Sequence, residues 1–259
     1  MRITIIGAGR VAYHLTRVLS VQHEIVQIYS RTLEKAQQLA DQFQAQAIEK
    51  PEQLDNRVDL VIITVSDQSI AMVIEQIHPY LPNNLIIHTS GSTHLDVLKQ
   101  IHTRAGVFYP LQTFSLEREI NWENTPLFIE AHDREDQNIL QNLANSLSSR
   151  VYLYSSEQRL SLHLAAVFAC NFSNYCYDMA KQVVDAQQVD FGLLYPLILE
   201  TAKKATQNDP RQMQTGPAMR GDQNILNMHQ SMLEQSQRSD LAEVYALMSQ
   251  QILQRHQAS

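Results

Sequence analysis

The first 154 residues alternate short apolar runs with stretches whose apolar residues recur at helical spacing. The apolar runs predict seven strands, at residues 3–6, 25–29, 60–65, 85–88, 106–109, 127–130 and 151–154. The amphipathic stretches between them predict helices at residues 11–19, 33–43, 70–80 and 137–147. Because strands that alternate with helices are joined by crossover connections, this half is predicted to be α/β, with a mostly parallel sheet and helices on both faces.

Strand signals stop near residue 155, and the pattern is helical from there onward. Ser155, followed three residues later by Gln158, predicts a capping box that opens a long helix. Helices are predicted at residues 157–187, 191–207, 221–236 and 238–256. The sequence therefore predicts two domains, residues 1–154 and an all-α C-terminal domain at residues 155–259.

The first predicted strand runs directly into a glycine-rich turn that opens a helix. Gly7 permits a tight turn, Gly9 lets the backbone approach a pyrophosphate, and the small Ala12 lets the helix pack on the strand. Unpaired N–H groups at the start of this helix would face the phosphate. The turn predicts a Rossmann-like dinucleotide site, and a glycine turn without a ligand is the alternative. Its cofactor-binding residues are Gly7, Ala8, Gly9, Arg10 and Val11.

The end of the second predicted strand indicates which dinucleotide binds. NAD enzymes usually place an acidic residue there to bind the ribose 2′-hydroxyl. This chain instead has Ser30, Arg31 and Thr32, with Lys35 one helical turn further on. These hydroxyl and cationic groups would bind a 2′-phosphate, which favours NADP over NAD. The alternative is that Arg31 and Lys35 are only the solvated start of a helix.

Composition and charge narrow the classes of partner. The chain has 259 residues, 44% of them hydrophobic, and a formal net charge of −7. Acidic residues outnumber basic residues in both halves, so nucleic acid is not a predicted partner. Cys170 and Cys176 lie on opposite sides of one predicted helix, which predicts buried thiols rather than a disulfide or a metal pair. No metal site is predicted.

No segment is predicted to target or anchor the chain to a membrane. The apolar N-terminal run is a strand preceded only by Met1 and Arg2, without a small-residue cleavage site. The longest apolar run, residues 164–170, is too short to span a bilayer. We therefore expect a cytoplasmic protein without a membrane partner.

Polar residues follow two further strands, where parallel strands deliver their ends to a ligand crevice. Val65, Ser66 and Asp67 are predicted to line the cofactor path, with Asp67 also acting as the N-cap of the next helix. Ser90 is predicted to contact the cofactor and Ser92 the substrate. An ordinary Ser-Gly-Ser turn is the alternative for the second segment.

A third loop, residues 109–114, offers neutral hydrogen-bonding groups. Tyr109 and Gln112 are candidates for the floor of a substrate pocket, and an ordinary surface loop is the alternative.

The helical half supplies the candidates for catalysis. Residues 160–172 are apolar almost all round, which predicts a buried helix. His163 and Asn171 lie eight residues apart on one side of it and are the predicted catalytic residues, although a hydrogen-bonded core histidine is the alternative. Arg220, in the turn-rich segment 215–222, is predicted to bind a substrate carboxylate. The alternative is an Arg-Asp pair that ties this loop down.

These segments carry a family resemblance. The glycine turn, residues 30–32, residues 65–67 and the helical half resemble the superfamily of pyrroline-5-carboxylate reductase, ketopantoate reductase and the 6-phosphogluconate dehydrogenase-like enzymes. More closely, residues 109–114, 215–217 and 220–222 resemble a group that joins a Rossmann-like NADP oxidoreductase domain to a helical domain of unknown function.

The resemblance implies an NADP-binding domain at residues 1–154, a helical substrate and dimerisation domain at residues 155–259, and a homodimer. In the characterised relatives a helix of the second domain supplies a lysine or asparagine to the substrate carbonyl. No lysine lies between Ser156 and Ala180, which leaves His163 and Asn171. A Gly/Ser/Thr-rich segment typical of pyrroline-5-carboxylate reductase is also missing, so that activity is not assigned.

We therefore expect hydride transfer between a nicotinamide and a small carbonyl, imine or alcohol substrate that carries a carboxylate. His163 would polarise or protonate the substrate heteroatom, Asn171 would hold it and Arg220 would bind the acid. Two alternatives stay open. One is an NADP-binding sensor or interaction protein without catalysis. The other is a deazaflavin in place of the nicotinamide, since some relatives with similar glycine turns use one.

Overall fold

The computed structural model describes residues 1–257, which form two compact units. The first unit is Met1–Ala169 and the second begins at Cys170. The boundary predicted at residue 155 marks the end of the sheet, and the first unit continues through the helix that follows.

The first unit is built on one eight-stranded sheet. Its strands are β1 (Arg2–Ile6), β2 (Glu24–Tyr29), β3 (Gln46–Ile48), β4 (Leu60–Ile63), β5 (Leu85–His88), β6 (Ala105–Pro110), β7 (Leu127–Ala131) and β8 (Val151–Leu153). They lie in the order β3-β2-β1-β4-β5-β6-β7-β8. All neighbouring pairs are parallel except β6 and β7, which are antiparallel. The strand order reverses between β1 and β4, and such a switch point places a ligand crevice at the carboxyl ends of the strands.

Helices cover both faces of this sheet. They are α1 (Arg10–Leu19), α2 (Leu33–Ala40), α3 (Asp67–Ile77), α4 (Asp96–Lys99), α5 (Arg134–Asn145) and α6 (Ser156–Ala166). Side chains alternate between the faces along each strand, so Ile5 packs in the core beside α1, α2 and α5 while Ile6 packs in the core beside α3. The predicted fold class is confirmed.

The seven predicted strands are all present, and short elements such as β3 and α4 were not predicted. Strand β3 has only three residues, Gln46–Ile48, of which Gln46 is exposed, so it carries little apolar signal. Helix α4 is a single turn. Pro110 ends β6 rather than lying in the following loop, and its strand partner there is Leu127 of β7.

The second unit is helical. A π-helix, Val167–Phe172, interrupts the single helix predicted for residues 157–187. The elements that follow are α7 (Ser173–Asp185), α8 (Tyr195–Gln207), α9 (Pro217–Arg220), α10 (Gln223–Gln235) and α11 (Ser239–Gln257). The predicted capping box of Ser155 and Gln158 is confirmed at the start of α6, and Asp222 caps α10.

Two burial predictions are wrong for the single chain. Leu160, Leu164 and Phe168 are 50%, 58% and 63% exposed, although an apolar helix was expected to be buried. Cys170 is exposed and Cys176 half-buried, and both are free thiols rather than buried ones. Apolar composition predicts that a helix packs against other side chains, whereas half or more of the surface of these three side chains is exposed in one chain. None of the helices within residues 1–257 combines the length and the apolar character needed to cross a membrane.

Candidate functional site

The glycine turn adopts a backbone that other residues rarely take. Gly7 has φ +124°, and its N–H donates to the Tyr29 carbonyl at 2.8 Å. A Cβ at Gly7 would lie 2.6 Å from the Thr64 hydroxyl oxygen. That hydroxyl is buried and donates to the Ile6 carbonyl at 3.0 Å, so it has little room to move. Glycine is therefore required at position 7 by both conformation and space.

Gly9 differs from Gly7 because the space around it is open. It is the N-cap of α1, has no side-chain capping bond, and no atom lies within 4 Å of where its Cβ would be. The first N–H groups of α1 accordingly lie beside an open cradle, because no side chain packs against Gly9. A helix N-terminus with this open approach fits a pyrophosphate.

A cavity of about 340 Å³ brings three separate sequence segments together, residues 7–9, 29–35 and 64–73. It is lined by Gly7, Ala8, Gly9, Tyr29, Ser30, Arg31, Lys35, Thr64, Val65, Ser66, Ser69 and Val73. Eight of these residues were predicted from the sequence as cofactor-binding; Tyr29, Thr64, Ser69 and Val73 were not. The predicted residues Arg10, Val11, Thr32, Asp67 and Ser90 do not line the cavity.

Two cationic side chains of this cavity are available to bind an anion. Arg31 and Lys35 are exposed, and neither is in an ion pair among residues 1–257. Glu24, at the opposite end of β2, pairs with Arg2 at 3.4 Å and is not available to bind a ribose. Two uncompensated positive charges at the end of β2 suit a phosphate better than a hydroxyl.

The prediction that Asp67 is the N-cap of α3 is wrong. Ser66 is the N-cap, and its hydroxyl is 2.9 Å from that of Ser69. The helix starts one residue earlier than expected because β4 ends at Ile63 rather than at residue 65. Asp67 lies in the first turn, where its carboxylate accepts a hydrogen bond from the Ser92 hydroxyl. It therefore links α3 to the segment after β5.

That segment, Ser90–Thr93, is called the serine loop below. The Ser90 hydroxyl accepts from the N–H groups of Ser92 at 3.1 Å and Thr93 at 2.9 Å. The Ser90 N–H in turn donates to His88 Nδ1 at 3.2 Å. Ser90 is buried, and its hydroxyl shapes the loop through these two bonds, while the predicted cofactor contact of Ser90 and substrate contact of Ser92 stay predictions.

A buried arginine, which was not predicted from the sequence, holds the far end of the serine loop. Arg159 on α6 is 1% exposed and pairs with Glu130 at 2.5 Å. Its guanidinium also donates to the Thr93 carbonyl at 2.6 Å and to the Ser156 hydroxyl at 3.1 Å. The only available signal was a charged residue between the capping box and the apolar stretch at residues 160–172.

The same cation affects the histidine beneath the loop. His88 is fully buried at the end of β5. Burial first, and the nearby charge of Arg159 second, lower the pKa of His88 to about 3. His88 is therefore a neutral structural group at physiological pH, and its Nδ1 is free to accept from Ser90.

Two predicted site residues meet above the serine loop. The Tyr109 hydroxyl, at the end of β6, lies 3.2 Å from Nδ1 of His163 on α6. Their ring centroids are 6.1 Å apart in an edge-on arrangement. Burial first, and the Asp67 carboxylate second, raise the pKa of Tyr109 to about 12. The phenol is therefore protonated at physiological pH.

Gln112, Asn171 and Arg220 are three further predicted site residues. Gln112 is exposed, and its side-chain oxygen accepts from the N–H of Thr113 at 2.8 Å, which folds it onto its own loop. Asn171 lies in the π-helix Val167–Phe172 and is exposed. Arg220 ends α9 and is exposed, and no ion pair to Asp222 forms within the described chain. The roles of these residues stay predictions.

Two family models match the chain. The model described as "NADP oxidoreductase coenzyme F420-dependent" matches residues 2–91. The model described as "Domain of unknown function (DUF2520)" matches residues 125–252. No curated protein matches the chain.

Solved structures extend this comparison over the whole chain. A "putative NADP oxidoreductase" from Bacteroides fragilis is 38% identical, with a TM-score of 0.91 and 98% of each chain covered. An imine reductase from Myxococcus stipitatus in complex with NADP+ has a TM-score of 0.73 at 12% identity, covering 98% of this chain and 95% of its own. A pyrroline-5-carboxylate reductase from Coxiella burnetii has a TM-score of 0.56 at 17% identity, covering 99% and 97%. The last two show the fold alone. The identity and coverage of the first, with the two matching models, show that this chain belongs to the NADP oxidoreductase family that joins a coenzyme F420-dependent type domain to the DUF2520 domain.

Proposed function

We propose that the protein is an NADP-dependent oxidoreductase that acts on a small carboxylate-bearing carbonyl, imine or alcohol. The observation that carries the proposal is the cavity in which the open cradle at Gly9 and the unpaired cations Arg31 and Lys35 occur together. One end suits a pyrophosphate and the other a ribose phosphate. The names of the relatives, which include NADP oxidoreductase and imine reductase, support the same assignment.

The cofactor would be held by residues of the first unit. The backbone of residues 7–9, which lines the cavity, and the N–H groups of Arg10 and Val11 at the start of α1 would bind the pyrophosphate. Ser30, Arg31 and Lys35 of the same cavity would bind the 2′-phosphate, together with Thr32, which does not line it. NADPH, when bound, supplies the hydride for reduction. The protein's part is to orient the substrate and to provide a hydrogen-bond donor to its heteroatom, for which His163 is the candidate. Asn171 remains the residue predicted to hold the substrate heteroatom, and Arg220 the residue predicted to bind its carboxylate.

Cofactor choice is tested by thermal unfolding with NADPH, with NADH and without nucleotide. At 100 times the dissociation constant, NADPH should add about 2.7 kcal/mol of stability. Replacing Arg31 with alanine removes charge-assisted bonds worth about 1.5–3 kcal/mol, so we expect NADPH affinity to fall about 10–100-fold and NADH affinity to stay unchanged. Arg118→Ala, which removes an exposed arginine outside the cavity, is the matched control. A stronger shift with NADH than with NADPH would refute the role of Arg31.

Catalysis is tested separately from binding. NADPH oxidation would be followed across a panel of keto acids and cyclic imines, with His163→Ala as the comparison. A deazaflavin is included as hydride acceptor, because the matching family model is described as coenzyme F420-dependent. Binding of NADPH without turnover of any member would instead support the sensor, which the missing lysine between residues 156 and 180 favours.

The predicted homodimer is proposed to form through the second unit. Among the described residues of that unit, the buried apolar side chains are only Ala218, Leu241 and Ala242. Large apolar side chains there are instead exposed, including Leu193 at 71%, Leu197 at 62% and Leu199 at 70%. Unpartnered apolar surface of this extent is typical of an interface between subunits.

We expect sedimentation equilibrium to give twice the 29.6 kDa chain mass. The double variant Leu193→Glu/Leu197→Glu, which would bury two carboxylates, should sediment as a monomer. Val21→Glu, at a 79% exposed apolar residue of the first unit, should remain dimeric. A wild-type monomer at micromolar concentration would contradict the proposal.

A further inference from the structure

Gly91 of the serine loop forms the surface on which Tyr109 and His163 meet. A Cβ at Gly91 would lie 2.6 Å from His163 Nδ1, 2.6 Å from Tyr109 Cζ and 2.8 Å from the Tyr109 hydroxyl. Both rings are thus in contact with a backbone that has no side chain at this point. The loop itself is held on one side by the Ser92 bond to Asp67 and on the other by the Arg159 bond to the Thr93 carbonyl. The Tyr109–His163 contact therefore sits on a restrained surface.

The direction of the Tyr109–His163 hydrogen bond follows from the groups available. A phenol has one O–H donor, and a neutral imidazole has one donor and one acceptor nitrogen. Tyr109 is 9% exposed, and Nδ1 of His163 is the one acceptor found for its hydroxyl within residues 1–257. If Nδ1 carried the proton, the phenolic proton would be left without an acceptor in a buried place, which is costly. The hydroxyl therefore donates to Nδ1.

We propose that Tyr109 is a positioning residue that holds His163 in the tautomer with its proton on Nε2, so that Nε2–H is the donor to the substrate heteroatom. The substrate part of this inference rests on the proposed function, whereas the tautomer itself does not. Which nitrogen carries the proton is set by the bond that the other nitrogen makes. Tyr109 would therefore act on the substrate through His163 and not by touching it.

The chemistry balances without a further cofactor. As the heteroatom takes a proton, its new bond to hydrogen forms while the Nε2–H bond of His163 breaks. The Tyr109 O–H bond breaks in turn as the proton moves to Nδ1, so the imidazole ends neutral with its proton on the other nitrogen. Burial and the Asp67 carboxylate both disfavour the phenolate left on Tyr109, so it takes the proton back from Nδ1 while Nε2 takes a proton from water, which leaves as hydroxide. The pair is then in its starting state, with one proton on the Tyr109 hydroxyl and one on Nε2 of His163.

The tautomer is measured directly by long-range ¹H–¹⁵N correlation of the histidine rings, at about pH 8, above the ordinary imidazole pKa of about 6.5. His163→Gln assigns the His163 signals. We expect the wild-type ring to show a protonated Nε2 and an unprotonated Nδ1, and Tyr109→Phe to show exchange-averaged nitrogens. Gly91→Ala should give the same averaging although it keeps the hydroxyl, because its methyl group would separate the rings. A wild-type ring that is averaged, or protonated at Nδ1, would overturn the proposal whether or not the protein turns over any substrate.

Steady-state kinetics test the role of the pair in the reaction. Tyr109→Phe keeps the ring that packs 6.1 Å from Phe128, so the fold should be retained. We expect its kcat to fall about 10–100-fold with KM changed less than about 3-fold, as for loss of a group that orients a functional residue. His163→Gln, whose amide N–H can approach the Nε2 position, should retain more activity than His163→Asn. Equal loss in those two variants, or an unchanged kcat in Tyr109→Phe, would refute the assignment. Loss of all turnover in the wild type, with the tautomer as expected, would instead refute only the proposed function.

Discussion

Replacing Gly7 with alanine is expected to lower the free energy of unfolding by about 2–5 kcal/mol. The φ of +124° is strained for any residue with a Cβ, and the new methyl group would lie 2.6 Å from the Thr64 hydroxyl oxygen. That hydroxyl is fixed by its bond to Ile6, so the clash must move backbone at the centre of the sheet. Urea unfolding without nucleotide measures the effect, and NADPH titration should show that binding is lost with it.

Gly9→Ala is the matched control for this prediction. Its methyl group would meet no atom of the protein, and the N-cap φ of −94° is allowed for alanine. Stability should therefore change by no more than about 1 kcal/mol, the usual cost of alanine at an N-cap. NADPH affinity should nevertheless fall at least about 10-fold, because the methyl group occupies the approach of the pyrophosphate. Unchanged NADPH binding by Gly9→Ala would place the pyrophosphate elsewhere.

Replacing Glu130 with alanine is the second change with a large expected effect. It leaves the guanidinium of Arg159, 1% exposed, without its counter-charge. The side chain of Glu130 also accepts from the Ser156 N–H at 3.1 Å and hydroxyl at 2.7 Å, so the start of α6 loses two bonds. Removing one partner of a buried pair typically costs about 3–5 kcal/mol, and we expect that loss in urea unfolding.

A double variant separates charge burial from general damage to the fold. Glu130→Met combined with Arg159→Met removes both charges and fills the space with apolar groups, which is often close to neutral in stability. We therefore expect the double variant to be more stable than Glu130→Ala. It should still lose activity, because the bond from Arg159 to the Thr93 carbonyl no longer holds the serine loop. If Glu130→Ala lowered the free energy of unfolding by less than about 1 kcal/mol, water would be solvating the guanidinium in place of the carboxylate.

Part of the candidate site was readable from the sequence because the features that form it are local. The turn at Gly7 and Gly9 follows from a strand, two glycines and a helix start that are consecutive in the chain. Arg31 was readable for a related reason, since the end of the second strand has a known place relative to the ribose. The structure brings these residues to one cavity, and their contacts with a cofactor stay predictions.

Other parts were misread because they depend on contacts between distant segments. The cap of α3 was assigned one residue too far along, since the end of β4 is set by pairing with its neighbours and not by its own residues. Arg159 was missed because its partner Glu130 is 29 positions away, and only the packing of α6 on the sheet brings them together. Burial of the helix at residues 160–172 was overestimated, because apolar composition does not say whether the same chain supplies the cover.

The sequence by itself determined the alternation of strands and helices, the glycine turn and the basic residues at the end of β2, because each depends on periodicity or on neighbours in the chain. The tertiary structure decided that Tyr109 and His163, 54 residues apart, share a hydrogen bond above Gly91. It also decided that a buried arginine holds the loop beneath them. Such contacts arise from the way the sheet aligns strand ends and helix faces, and no spacing along the chain encodes them.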